Sequence, residues 1–304
     1  MKDPSLTKDL FRVFRAVVTN QLAAVATRPY LRLTAQTGRG SEEESPDQVA
    51  NYFRQCFDKY LDIMGAGTGN ANAFLTDKTV LEYGPGDIPG TALLFYAYGA
   101  KKVICVDRFP MIALSTKNIS VLKELVDMLS GDPRERALSS LKTYGDHSTG
   151  FKDQSISYRV RKNGISGICG EADLVVSRAV LEHVNDLRAS LQDIHDALRR
   201  DGMGIHLVDL KSHGLHQANP LDFLRWPAWL WRMMYSNKGY PNRWRVDRYR
   251  MILDSMKFSS VEIRPTAFAK LNEVNAMRPH LAPPFRHLSD DDLQCLGFWL
   301  IVRK

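Results

Sequence analysis

The chain has 304 residues, 44% hydrophobic and 25% charged, which excludes disordered, collagen-like and disulfide-scaffold classes and leaves a protein with a packed core. Its net charge of +7 is uneven, because residues 1–40 and 221–250 each hold seven Lys/Arg against two Asp while the rest is near neutral. That distribution argues against a uniformly basic nucleic-acid binder and for a neutral body with two basic appendages, each a solvated face or the rim of an anion-binding site.

The four cysteines, Cys56, Cys105, Cys169 and Cys295, lie far apart without zinc spacing and read as reduced thiols of a cytoplasmic protein. No apolar run approaches the roughly 18 residues of a membrane span. Asp3 and Asp9 do not suit the charged start of a secretory signal.

In chain order, Leu6, Leu10, Phe14, Val17 or Val18, Gln21 or Leu22 and Val25 recur at helical spacing with basic residues off the stripe. This amphipathic, cationic helix is expected either to cap the protein or to make weak, reversible contact with a membrane surface. A loop over residues 37–47 precedes a second helical stripe of Val49, Tyr52, Phe53, Cys56, Phe57, Tyr60 and Leu61, broken by Gly65, Gly67 and Gly69. Residues 1–78 therefore read as a helical extension or cap, and 79–304 as the main domain.

From Thr79 onward, short β-rich runs alternate with helical segments, the pattern of a mostly parallel sheet with crossover helices. Strands are expected at Thr79–Tyr83, Lys102–Asp107, Ser155–Val160, Ala172–Ser177 and Gly204–Leu210. Helices are expected at Pro89–Tyr98, Met111–Leu129 and Asp186–Arg200, the last closing on Leu198-Arg199-Arg200-Asp201-Gly202 as a cation-rich C-cap.

The first chemical signal is Val80-Leu81-Glu82-Tyr83-Gly84-Pro85-Gly86-Asp87-Ile88-Pro89-Gly90, an apolar strand that runs into a glycine turn and opens a helix. Glycines let the backbone approach a ligand closely, and a helix start offers free N–H groups. The next strand ends in Asp107, an acid placed to accept the hydroxyls of a ribose. The spacing G-x-G-x-x-x-G is one residue longer than the dinucleotide fingerprint. Glu82, two residues before the first glycine, would repel a pyrophosphate and attract the cationic end of S-adenosylmethionine.

These residues, together with Ala172-Asp173-Leu174-Val175-Val176-Ser177-Arg178-Ala179-Val180-Leu181-Glu182-His183-Val184 and Leu198-Arg199-Arg200-Asp201-Gly202-Met203-Gly204, resemble the class I S-adenosylmethionine-dependent methyltransferases. The resemblance is strong over residues 79–210 and looser beyond. It implies an α/β, Rossmann-like fold with a seven-stranded sheet flanked by helices. The sixth and seventh strands would be Ser259–Pro265 and Leu296–Arg303, the final one antiparallel. It implies S-adenosylmethionine as cofactor, with S-adenosylhomocysteine as product. Glu82, Gly84, Pro85 and Gly86 would hold the methionine part, Asp107 with Arg108 the ribose side, and Ser177 with Arg178 would close the site. Two departures stand out: Ile88 occupies the place of a third glycine, and residues 131–170 carry no clear adenine motif, with Asp146, Tyr158 and Glu171 as candidates.

Methyl transfer needs alignment of a nucleophile and, where it carries a proton, a base. Candidates lie past the fourth and fifth strands at the carboxyl edge: His183, Asp209 and His213, with His206 and His216 nearby. His206 and Asp209 do not converge along a strand, so no metal site is expected.

Residues 220–249 gather Trp226, Trp229, Trp231 and Trp244, with three tyrosines and five arginines, into a lid-like insertion after the fifth strand. Aromatic walls with a few cations suit a small, partly aromatic or hydrophobic methyl acceptor. A grip on RNA and a purely structural lid are the alternatives to that reading. Ser177-Arg178-Ala179-Val180 lacks the Asn/Asp-Pro-Pro-aromatic turn of nucleic-acid amino methylation, so a nucleic-acid partner is disfavoured. A catalytically silent fold that only binds cofactor and a nicotinamide-dependent dehydrogenase are the remaining rivals.

Overall fold

A computed structural model describes residues 4–26, 44–212, 219–237 and 242–304. Helix α1 spans Pro4–Val25 and α2 spans Pro46–Met64, followed by the short α3, Ala71–Leu75. The α/β body then runs β1 (Thr79–Tyr83), α4 (Gly90–Ala97), β2 (Lys102–Asp107), α5 (Thr116–Asp127), α6 (Gly131–Ser139), β3 (Leu141–Thr143), β4 (Asp146–Phe151) and β5 (Ile156–Val160). It continues with β6 (Ala172–Arg178), α7 (Leu187–Ala197), β7 (Leu198–Asp209), α8 (Ala228–Tyr235) and α9 (Val246–Leu253). It ends with β8 (Ser260–Phe268), α10 (Leu271–Met277), α11 (Pro283–Arg286), α12 (Asp290–Gln294) and β9 (Cys295–Arg303).

Seven strands form one sheet in the order β5-β2-β1-β6-β7-β9-β8, as expected for the Rossmann-like methyltransferase fold. The first five are parallel, and β9 is antiparallel to both its neighbours. The central strands are buried on both faces, which is why they read as unbroken apolar runs. On one face α2, α4 and α5 share a core that includes Phe53, Phe57, Leu61, Phe95 and Leu125. On the other, α7 and α9 bring Leu187, Leu191, Ile194, Tyr249 and Ile252.

The end of α7 corrects the sequence expectation. The helix stops at Ala197, and Leu198 already belongs to β7, paired with Ala172 of β6 across a bulge. The left-handed residue is Asp201, φ 63°, not Gly202. The cations and glycine mimicked a C-cap, but pairing with β6 took these residues into the sheet.

A third core lies around the insertion. Phe223, Trp231, Met234 and Tyr235 are buried there with Ala16 of α1, Val274 and Phe285. Arg243 is laid over the Trp231 ring at 4.6 Å and donates to the Trp226 carbonyl at 2.6 Å. Much of the aromatic insertion is therefore a small hydrophobic core in its own right. Helix α1 docks on α8 through buried Asn20, whose amide donates to the Met233 carbonyl at 2.9 Å and accepts from the Asn237 N–H at 2.8 Å. Among the described residues, no helix is long and apolar enough to cross a membrane.

Candidate functional site

The strand order of the sheet reverses between β1 and β6, the place where open α/β sheets receive ligands at their carboxyl edge. Here β1 runs into Gly84 and Gly86, both left-handed with φ of 75° and 74°. The Gly84 N–H donates to the Val106 carbonyl at 2.8 Å, pinning the turn to β2. A Cβ on Gly84 would lie 2.5 Å from Val180 Cγ2, so this glycine is required both for its backbone angle and for the approach of the β6 loop. Gly90 serves the packing of α2 on α4 instead, since a Cβ there would strike the Phe53 ring at 2.5 Å.

Asp107 ends β2. Its carboxylate accepts the Phe109 N–H at 3.2 Å and is also faced by the N–H groups of Arg108 and Gly86, so acid and glycine turn form one backbone-linked unit. Burial nonetheless raises its pKa above the ordinary aspartate value, with those N–H groups opposing. Arg108 lies over the Phe109 ring at 5.4 Å. The Tyr158 hydroxyl steadies the same loop, donating to the Phe109 carbonyl and accepting from the Met111 N–H, each at 2.9 Å. Of the three adenine candidates, Tyr158 alone touches this loop. Asp146 bonds to Ser148 on the separate β3–β4 pair, and Glu171 pairs with Arg159 at 3.3 Å.

Glu82 is buried, with its carboxylate turned toward the first turn of α4. It accepts the Ala92 N–H and faces the Cys105 thiol at 3.9 Å. Burial pushes its pKa up to about 8 against those hydrogen bonds. Ser177 and Arg178 point to opposite faces of β6, as successive strand residues must. Ser177 Oγ lies 2.7 Å from Nδ1 of His206 inside the core, so only its backbone reaches the carboxyl edge, where its carbonyl accepts from the Tyr60 hydroxyl at 3.0 Å. His206 itself is held near pKa 3 by burial and takes no part at the edge. Arg178 donates from Nε to the Tyr52 hydroxyl at 2.9 Å and lies over the rings of Tyr52 and Trp299.

Helix α2 thus contributes Tyr52, Cys56 and Tyr60 beside Arg178 and Glu82, a set that the sequence showed only as a helical stripe. The electrostatic influence of both Glu82 and Arg178 reaches Cys56 and Tyr60. Burial raises the pKa of all three α2 groups, so they stand neutral around the guanidinium.

The candidate bases sit past β6 and β7. A 3₁₀ turn, Leu181–His183, places His183 half-buried with Nε2 3.9 Å from Glu182 Oε1. Glu182, not identified from sequence as a site residue, is buried, and burial drives its pKa well above the usual carboxylate range. The Asp209 N–H also faces the Glu182 carboxylate. Glu182 therefore joins the turn bearing His183 to the end of β7 bearing Asp209, whose own Oδ1 accepts the Lys211 N–H at 3.0 Å. Asn242 clasps the turn from the insertion side, donating to the carbonyls of Leu181, Glu182 and Val184. His213 and His216 lie outside the described residues.

The pattern of a methyltransferase-domain family matches residues 49–250, from α2 through the insertion. No curated protein matches the chain. Among solved structures, similarity extends to an S-adenosylmethionine-dependent methyltransferase of Mesorhizobium loti at 17% identity, covering 76% of this chain and 92% of that one, TM-score 0.42. It also extends to phosphoethanolamine N-methyltransferase 2 of Haemonchus contortus in complex with S-adenosyl-L-methionine, at 15% identity, covering 82% and 60%, TM-score 0.42. The CurJ carbon methyltransferase is similar at 10% identity, covering 75% of this chain, TM-score 0.37; this chain spans 49% of its length. The chain belongs to the methyltransferase-domain family and is a class I S-adenosylmethionine-dependent methyltransferase.

Proposed function

We propose that this enzyme methylates a small, partly aromatic or hydrophobic acceptor. The cofactor would be held by Glu82, Gly84, Pro85, Gly86, Asp107, Arg108, Arg178 and the backbone of Ser177. The observation that carries the cofactor assignment is the linked unit of left-handed Gly84 and Gly86 with Asp107, at the carboxyl edges of adjacent strands. That unit offers close backbone approach at one end and a hydroxyl-accepting carboxylate at the other. When bound, S-adenosylmethionine supplies an electrophilic methyl group on its sulfonium.

The chain's own residues then orient the acceptor and take its proton where it has one. His183 and Asp209, joined through Glu182, are the groups assigned to proton removal. Asn242 and the core around Trp231 bring the insertion against the turn bearing His183, which supports an enclosed acceptor pocket more than an open nucleic-acid groove. Four free cysteines, three of them buried, support a reducing compartment such as the cytoplasm.

The test compares melting temperatures with S-adenosylmethionine, S-adenosylhomocysteine and NAD for wild type and Asp107→Ala. Ligand at about 100 times its dissociation constant adds about 2.7 kcal/mol, a shift of roughly several degrees at this size. The adenosyl ligands should stabilise the wild type and not Asp107→Ala, and candidate acceptors should then yield S-adenosylhomocysteine. Stabilisation by NAD alone would overturn the cofactor assignment, and cofactor binding without turnover on any acceptor would favour a silent fold.

A further inference from the structure

The two basic stretches of the sequence, 180 residues apart, meet in the fold: α1 packs on α8 through Asn20. The way α1 docks is unusual for an amphipathic helix. Its buried residues are small or polar, Ala16, Asn20 and Ala23. Val13 and Val17 pack half-buried against the third core, but the larger part of its apolar surface faces outward: Phe11 is 69% exposed, Phe14 68%, Val18 50% and Val25 83%, with Leu22 half-buried among them. Spacings of three and four residues place all five within about 80° of helix circumference at about 100° per residue. The packed face lies on the opposite side.

Helix α8 repeats the arrangement. Trp231, Met234 and Tyr235 enter the core, while Trp229 at 64% and Met233 at 48% are exposed one helical turn apart. Within the stretches that carry these side chains the charge has one sign. Arg12, Arg15, Arg225 and Arg232 lie within residues 11–26 and 223–237, and neither stretch holds an Asp or Glu. Arg15 and Arg232 are exposed. A stripe of Phe, Val and Trp flanked by Arg without acids is what an interfacial helix presents to an anionic bilayer, apolar groups entering the acyl boundary and cations meeting the headgroups.

We propose that the α1–α8 helix pair is a membrane-docking surface specific for anionic lipid, formed by Phe11, Phe14, Val18, Val25, Trp229 and Met233 with Arg15 and Arg232. No span is involved, since the helices lie in the interface plane. Because α8 belongs to the insertion that Asn242 and Arg243 tie to the turn bearing His183, docking there holds the acceptor side of the enzyme close to the bilayer. The surface does not depend on the cofactor assignment and is tested without turnover.

The experiment is co-sedimentation of the full chain with phosphatidylcholine vesicles, with and without phosphatidylglycerol, at low and high salt. Wild type should bind the anionic vesicles and bind neutral ones far less, with binding weakened by salt. Phe14→Glu/Val18→Glu and Arg15→Glu/Arg232→Glu should each lower binding at least about tenfold, while melting temperature and circular dichroism stay at wild-type values because these side chains are exposed. The tryptophan emission of wild type should shift to the blue on anionic vesicles, and Trp229→Phe should remove that shift. Equal binding of wild type to both vesicles, no binding to either, or unchanged binding by the variants would overturn the proposal. A dimer in sedimentation equilibrium that Phe14→Glu/Val18→Glu dissociates, with no vesicle binding, would assign the face to a second copy instead.

Discussion

Replacing Glu82 by Gln makes the strongest test of how this site is built. The carboxyl is buried against α4 and Cys105, and burial lifts its pKa from about 4.5 to about 8. A folded-state value above the unfolded one means that the fold favours the protonated acid. Its contribution is therefore fully present below about pH 4.5, declines as pH rises, and is lost above about pH 8. Each pH unit inside that window is worth about 1.4 kcal/mol, so between pH 5 and pH 8 this one group removes about 4 kcal/mol of stability. Glutamine keeps an acceptor for the Ala92 N–H and has nothing to titrate. Urea unfolding of wild type and Glu82→Gln at each pH isolates the effect, because all other groups cancel in the difference. The two should be nearly equal at pH 5, and the variant more stable by about 4 kcal/mol at pH 8. Parallel curves across the window would refute the reasoning, and would mean that the carboxylate is ionised in the fold and held there by a cation such as Arg178.

Two further substitutions test the frame around the site. Gly84→Ala places a Cβ against Val180 at a left-handed backbone position, so it should lose roughly 1–2 kcal/mol to strain and about 1–3 kcal/mol more to overpacking, together with cofactor-induced stabilisation in a thermal melt. Gly65→Ala, equally left-handed with no atom within 4 Å of its Cβ, should show the strain alone and so serves as the control. Arg245 is buried and donates to the carbonyls of Leu210, Leu293 and Cys295, its pKa lowered by burial to about 10. Arg245→Met leaves those acceptors orphaned and should lower unfolding stability by about 3 kcal/mol in urea, whereas an unchanged midpoint would show that they find other donors.

The strands of the parallel sheet were legible to within a residue or two at most ends, because a strand covered on both faces must be apolar throughout and the turns between strands must carry glycine or aspartate. Thr79–Tyr83 and Lys102–Asp107 were read at their observed bounds. The β3–β4 pair and α6 were missed because Leu141–Thr143 and Gly131–Ser139 carry little apolar signal. In the site, the glycine turn and Asp107 announced themselves locally, since close approach and a strand-end acid are properties of neighbouring residues. Glu182, Asn242 and the Tyr52–Arg178 contact did not, because they join residues about 30 to 130 positions apart and no period encodes such a distance.

Helix α1 shows the deeper limit of periodicity. A stripe of apolar residues at helical spacing states that one side avoids water, and both a core and a bilayer satisfy that statement. In the fold most of the stripe faces outward, while the helix is fixed by Asn20 capping the end of α8, by alanines that bury little area and by half-buried Val13 and Val17. Leaving side chains of this size in water forgoes roughly 1.5–3 kcal/mol for each that could have been fully buried. The same helix turned inward would recover that energy against the third core, but it would carry its arginines inward as well, where each unpaired charge costs more than an apolar side chain returns. The outward orientation avoids that cost, and the proposed anionic surface satisfies the apolar stripe and the flanking arginines together.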